Sequence, residues 1–123
     1  MNVNVGNRDM IGNLFIKLSE WEGKRYEEKE PGAFVGLIFS DTSVDLPAIN
    51  DVIGNKPVLA WKSLHTGDLA VYSNGESYIF GLVMGEIERQ FCFVDPKSST
   101  VQIVDLFDDV IGYDYINGFK VIQ

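Results

Sequence analysis

The chain has 123 residues, 18 of them Asp or Glu and 10 Lys or Arg, giving a net charge of -8. That length suits one domain spanning 1–123, and 46% hydrophobic with 23% charged residues excludes wholesale disorder. So acidic a balance argues against gripping a nucleic-acid backbone, which needs clustered Lys and Arg to displace counterions.

The first predicted element is a helix over about residues 8–21. Asn7 can cap it, Asp9 suits its first turn, and Met10, Ile11, Leu14, Phe15, Leu18 and Trp21 recur at helical spacing as a buried face. The polar run Lys24 to Glu30 reads as a loop closed by Pro31-Gly32. Ala33 to Phe39 is apolar, and its place after Pro-Gly favours a short helix over a strand. Leu46-Pro47 begins another short helix through Ile53, stopped by Gly54.

Everything after Pro57 reads as β. His65-Thr66-Gly67-Asp68 is a turn launching Leu69 to Tyr72. Asn74-Gly75 is the strongest hairpin signal and returns Tyr78 to Met84. Tyr78/Phe80/Leu82 alternating with Ile79/Gly81/Val83 predicts a central strand, apolar on both faces. Gln90 to Val94 and Thr100 to Leu106 follow, with Phe91 and Phe93 sharing a face. Asp108 to Tyr115 reads as irregular or a helical turn, and Phe119 to Ile122 as a final strand. The expectation is α+β: N-terminal helices packed on an antiparallel, partly barrel-like sheet of about five strands.

Several phrases, in order, resemble the NlpC family of cell-wall cysteine endopeptidases. Gly23-Lys24-Arg25-Tyr26 is similar to the family's Gly-x-x-Tyr, Gly36-Leu37-Ile38 to its Gly-Leu-Val, and Leu46-Pro47 to its Leu-Pro. Leu64-His65-Thr66-Gly67-Asp68-Leu69-Ala70-Val71-Tyr72 resembles Leu-x-x-Gly-Asp-Leu-Val-Phe-Phe, and Gly81 to Gly85 falls where Gly-Ile-Tyr-Leu-Gly is expected. Tyr115 to Val121 resembles the closing aromatic and final strand. The resemblance runs from Trp21 to the end of the chain and implies a papain-like α+β fold.

It also implies that the chemistry is lost. The family's nucleophilic Cys stands two residues before the first matched glycine, where this chain has Phe34, with Ala33 in place of the usual acid. Its base His falls at Ile79, and the residue that orients the base falls near Cys92 or Phe93. Phenylalanine forms no nucleophilic anion and isoleucine accepts no proton, so a covalent thioester is unavailable at those positions.

Other sites remain open. His65 and Cys92 are the only histidine and cysteine, and a relocated Cys92–His65 dyad would make an amidase or peptidase; a turn histidine and a buried strand thiol is the plainer reading. Cys92 alone can form no internal disulfide and no multi-Cys zinc site. Asp105, Asp108, Asp109 and Asp114 lack the alternating ligands and glycine of a calcium loop and read as solvated turn acids, as does Asp41 to Asp45. Trp61, Tyr72 and Tyr78, if exposed, would give a cell-wall peptide-binding module its stacking platforms. No metal or cofactor is expected.

The leading expectation is a non-catalytic NlpC-like protein acting through a protein partner, of basic charge if the acidic face is what it meets. A phage tail or morphogenesis component and an immunity-type protein both fit. No apolar run approaches the ~20 residues of a membrane span. The start, Met1 to Gly6, lacks the basic residues and apolar stretch of a secretory signal, so the cytoplasm is the expected compartment. The oligomeric state is left open.

Overall fold

The first helix, α1 (Val3–Trp21), begins earlier than its capping signal. The computed structural model describes residues 3–28, 32–42, 46, 59–85 and 88–122. Asn7 and Asp9 therefore lie inside the helix, not at its cap and first turn. Adding a turn to a formed helix is far easier than nucleating one, so helices overrun internal start signals. Leu14 and Leu18 are buried at the centre of the contact, with Met10, Ile11 and Trp21 half-buried beside them. Phe15, expected on that face, is 43% exposed. It sits about 100° round the helix from Leu14, beyond Ile11 at the edge of the buried stripe and far round from Met10.

After Gly23 the chain runs extended, and Arg25 bridges antiparallel to Thr100. The Gly23 N–H donates to Val101 O at 2.8 Å, and the Tyr26 N–H to Ser99 O at 2.7 Å. The segment expected as loop thus lies along one strand's edge. The second helix, α2 (Ala33–Ile38), follows Gly32 and buries Phe34, Val35 and Ile38. The helix expected from Leu46 to Ile53 lies outside the described residues except for Leu46, which packs on the helix-side core.

Six strands follow a 3₁₀ turn at Trp61–Ser63: β1 (Leu69–Ser73), β2 (Tyr78–Met84), β3 (Gln90–Val94), β4 (Val101–Asp105), β5 (Asp109–Val110) and β6 (Tyr113–Phe119). They form one antiparallel sheet in the order β4-β3-β2-β1-β6-β5, curled into a half-barrel. The α+β class stands, with six strands instead of about five. β2 is central, as its two apolar faces predict.

Two readings near the C-terminus need correction. Asp108 to Tyr115 is not irregular; it carries β5, a two-residue turn and the start of β6. The last strand is Tyr113–Phe119, not Phe119 to Ile122. The turn residues Ile111 and Gly112 have φ of 46° and 87°, the pair of positive values that a type I′ hairpin demands. Isoleucine is a poor residue for that position, so the sequence gives no turn signal there. Asn74-Gly75, the strongest such signal, sits instead in a four-residue loop closed by the Ser73–Tyr78 pair. The Asn74 Oδ1 accepts from the Glu76 and Ser77 N–H groups, an Asx-type turn.

The sheet separates two cores. On the helix side, Leu14, Leu18, Phe34, Val35 and Ile38 meet Val71, Phe80, Leu82, Met84 and Cys92. On the other face, Tyr72, Ile79, Val83, Phe91 and Phe93 pack with Leu64, Leu106 and Val110. Phe91 and Phe93 stack with ring centroids 5.2 Å apart. Gly81 is dictated by this packing, because a Cβ there would strike the Cys92 carbonyl oxygen and the Phe91 ring. A bulge in β6 opposite Val71/Tyr72 brings Tyr115 against Tyr72, rings edge-on at 5.5 Å.

Candidate functional site

Phe34 stands in the first turn of α2, 4% exposed. Gly32 turns the chain at φ 82°, and the aromatic ring points into a cluster with Trp21 and Tyr26. The three rings meet edge to face at centroid separations of 5.5 to 5.9 Å. Such pairs add roughly 0.5–1.5 kcal/mol each beyond the area they bury. Phe34 is a packing residue.

Beside it lies a crevice of about 110 Å³, lined by Tyr26, Phe34, Tyr78, Ile79, Asp95 and Ser99 among others. Ligand pockets usually offer ~300–1,000 Å³, so this one holds little more than a small group. Its Asp95 carboxylate is already engaged, accepting from the Lys97 N–H at 2.8 Å and from Gln102 Nε2 at 2.9 Å. Burial, with the Glu28 carboxylate second, pushes the Tyr26 hydroxyl above its ordinary pKa.

Phe34 and Ile79 both touch this crevice, yet their side chains belong to opposite cores. β2 presents Phe80, not Ile79, to the helix-side core that holds Phe34. The position of the expected base therefore does not face the position of the expected nucleophile.

The Cys92–His65 pair is not assembled either. Cys92 is fully buried in β3, in the helix-side core. Desolvation, with the Glu22 charge second, pushes its thiol up to about 12; it is protonated at neutral pH and unreactive. His65 lies exposed in the turn before β1. Its N–H donates to the Asp68 carboxylate at 2.8 Å, and Lys120 Nζ stands 3.6 Å from the same oxygen. The Gly67-Asp68 phrase is thus accounted for by turn structure. Gly67 has φ 90°, and a Cβ there would lie 2.7 Å from Ile122.

Of the three aromatic residues offered as stacking platforms, Tyr72 fails outright. It is fully buried, its hydroxyl donating to the Phe107 carbonyl at 2.6 Å. Tyr78 is half-exposed at the crevice rim, while Trp61 packs on the other core beside Phe107, with centroids 6.3 Å apart. They form no common platform.

Sequence reasoning missed a second groove. Val104, Asp105, Phe107, Asp109, Val110 and Ile111 line a hollow of about 220 Å³, in which Phe107 and Ile111 are 53% and 48% exposed. Period-two spacing of Asp105, Phe107, Asp109 and Ile111 was the available signal, hidden by the Ile-Gly turn. Among the described residues no three of His, Cys, Asp and Glu are placed to hold a metal ion, and no helix is long and apolar enough to cross a membrane.

No protein-family model matches this chain, and no curated protein matches it.

Proposed function

We propose that the chain is a non-catalytic protein-binding module on an NlpC-like, papain-like scaffold. A phage tail or morphogenesis component, or an immunity-type protein that masks a basic partner in the cytoplasm, fits its acidity. The observation that carries the reading is Phe34. The first turn of a helix is where a thiol would be acidified into a nucleophile, and here that place is filled by a ring packed against Trp21 and Tyr26. The burial and neutral state of Cys92 count against its working as a substitute. A hydrolase using Cys92 and His65 would need a thiolate open to substrate. A cell-wall peptide-binding module would need a larger cleft than the one beside Phe34.

The test is incubation of the full chain, and of a Cys92→Ala variant shown to be folded, with muropeptides. No turnover is expected from either. Turnover by the wild type that the folded Cys92→Ala variant lacks would overturn the reading in favour of the rearranged dyad.

A further inference from the structure

The groove between Phe107 and Ile111 has the make-up of a docking surface. Two large apolar side chains stand exposed on a floor of Val104 and Val110. Asp105 and Asp109 line it, Asp108 is next in the chain and Asp114 pairs with Asp109 across β5–β6, and among the described residues none of these carboxylates is in an ion pair. The bases on this side are turned elsewhere. Lys62 lies over the Trp61 ring at 5.6 Å, and Arg89 Nη1 donates to the Lys62 and Leu64 carbonyls.

The segment that presents Phe107 is also anchored by two hydrogen bonds. The Tyr72 hydroxyl fixes the Phe107 carbonyl from within the core, and the Tyr115 N–H donates to Asp108 O at 2.8 Å. Ordering costs on binding are correspondingly small. Ile111 adds the most specific sign. A β-branched residue at φ 46° is a conformational outlier that Asn or Gly would relieve. Such strain collects at functional positions, and what Ile111 offers in exchange is an exposed aliphatic side chain.

We infer that this groove docks a protein segment carrying an aliphatic or aromatic side chain flanked by Lys or Arg. The inference rests on the protein-binding reading above but names its surface and partner chemistry. A second copy of this chain is the wrong occupant, because its net charge of -8 would bring like charges onto the same four aspartates.

The probe is a short synthetic peptide with Leu and Trp at its centre and Lys and Arg on both sides, titrated into the isotope-labelled full chain by NMR. Controls replace its bases by Glu, or its apolar centre by Gly and Ser. Shifts confined to residues 104–114 and their neighbours are expected, weakening with added salt. Phe107→Ser, and Asp108→Asn combined with Asp109→Asn, should each lower affinity by about tenfold, with unfolding curves showing that both variants remain folded under the binding conditions. Ile111→Gly should raise the midpoint yet weaken binding, a pairing that a purely structural turn would not give.

The proposal is overturned by absence of binding, by shifts elsewhere, by equal binding of the Glu peptide, or by variants that bind as tightly as wild type. It is equally overturned if the chain dimerises and Phe107→Ser makes it monomeric, which would assign the face to a second copy. Muropeptide turnover, by contrast, would end the non-catalytic reading and leave this surface standing.

Discussion

The two faces of the sheet are finished in opposite ways. On the helix side, α1 and α2 cover the strands, and the Trp21–Tyr26–Phe34 ring cluster packs at the end of α1 and the start of α2. On the other side a more aromatic core is covered by loops, and two of its tyrosines reach out to hold them. Tyr72 ties down Phe107, and Tyr115 donates to the Leu59 carbonyl at 2.7 Å. The helix side is closed by aromatic packing around Phe34, with only a small crevice beside it, while the other side carries the exposed apolar groove of Phe107 and Ile111.

The sharpest way to break this comparison is Phe34→Ala. Truncating a buried Phe typically costs about 3–5 kcal/mol through lost transfer energy and an unfilled cavity, so the urea midpoint should fall severely. Phe34→Cys should fall nearly as far and gain no hydrolysis, since no base faces it. An unchanged midpoint would mean the helix side is open, and the peptide-binding reading would then lead.

Alkaline titration comes next. An unfolded chain releases the Cys92 proton near the thiol's ordinary 9.0, whereas the native chain holds it to about 12; burial likewise raises Tyr72 and Tyr115 above 10.0. The native state then binds more protons than the unfolded state across that window. Stability should be full below about pH 9 and decline as pH rises toward 12. Cys92→Ala should lower the midpoint at neutral pH but flatten the alkaline slope, as followed by circular dichroism. A slope unchanged by that substitution would remove Cys92 from the account.

Smaller effects belong to the groove side. Ile111→Gly should stabilise by about 1 kcal/mol, by removing a side chain from left-handed backbone against some loss of chain entropy. Tyr72→Phe should cost about 1 kcal/mol for one lost hydrogen bond and loosen the segment that presents Phe107. Phe107→Ser should cost about 1 kcal/mol, its edge contact with Trp61 included. Chemical denaturation resolves all three, and a large loss at Phe107 would show it to be core and not surface.

Much of this was legible in the sequence, for stated physical reasons. Period-two alternation located β2, and helical spacing located the Leu14–Leu18 stripe, because burial imposes those periods directly. Phe34 is legible as core because a large aromatic in a short apolar helix is costly to leave in water, although apolar neighbours alone do not decide it, since Leu37 in the same helix is 40% exposed. The failures share a cause: they depend on which local preference the tertiary structure overrides. Asn74-Gly75 was free to take a wider loop, while Ile111-Gly112 was held in a tight one by the pairing of Val110 with Tyr113. Tyr72 looked like a platform because tyrosine is at home on surfaces. Its burial depends on the Phe107 carbonyl, 35 residues away in sequence, and on a bulge in β6, neither of which leaves a mark near position 72. The candidate groove was hidden for the same reason, since its signal lay in the turn that was read as irregular.

The order of the strands has one more consequence, for the behaviour of many copies together. At one end of the sheet β5 has only two residues; at the other, Lys24 to Tyr26 lies along the start of β4, and the exposed Asp105 closes that strand. A foreign strand seeking a template finds too short a ladder on one side and, on the other, one occupied at its start and charged at its end, so edge-to-edge pairing between copies is discouraged at both ends of the sheet.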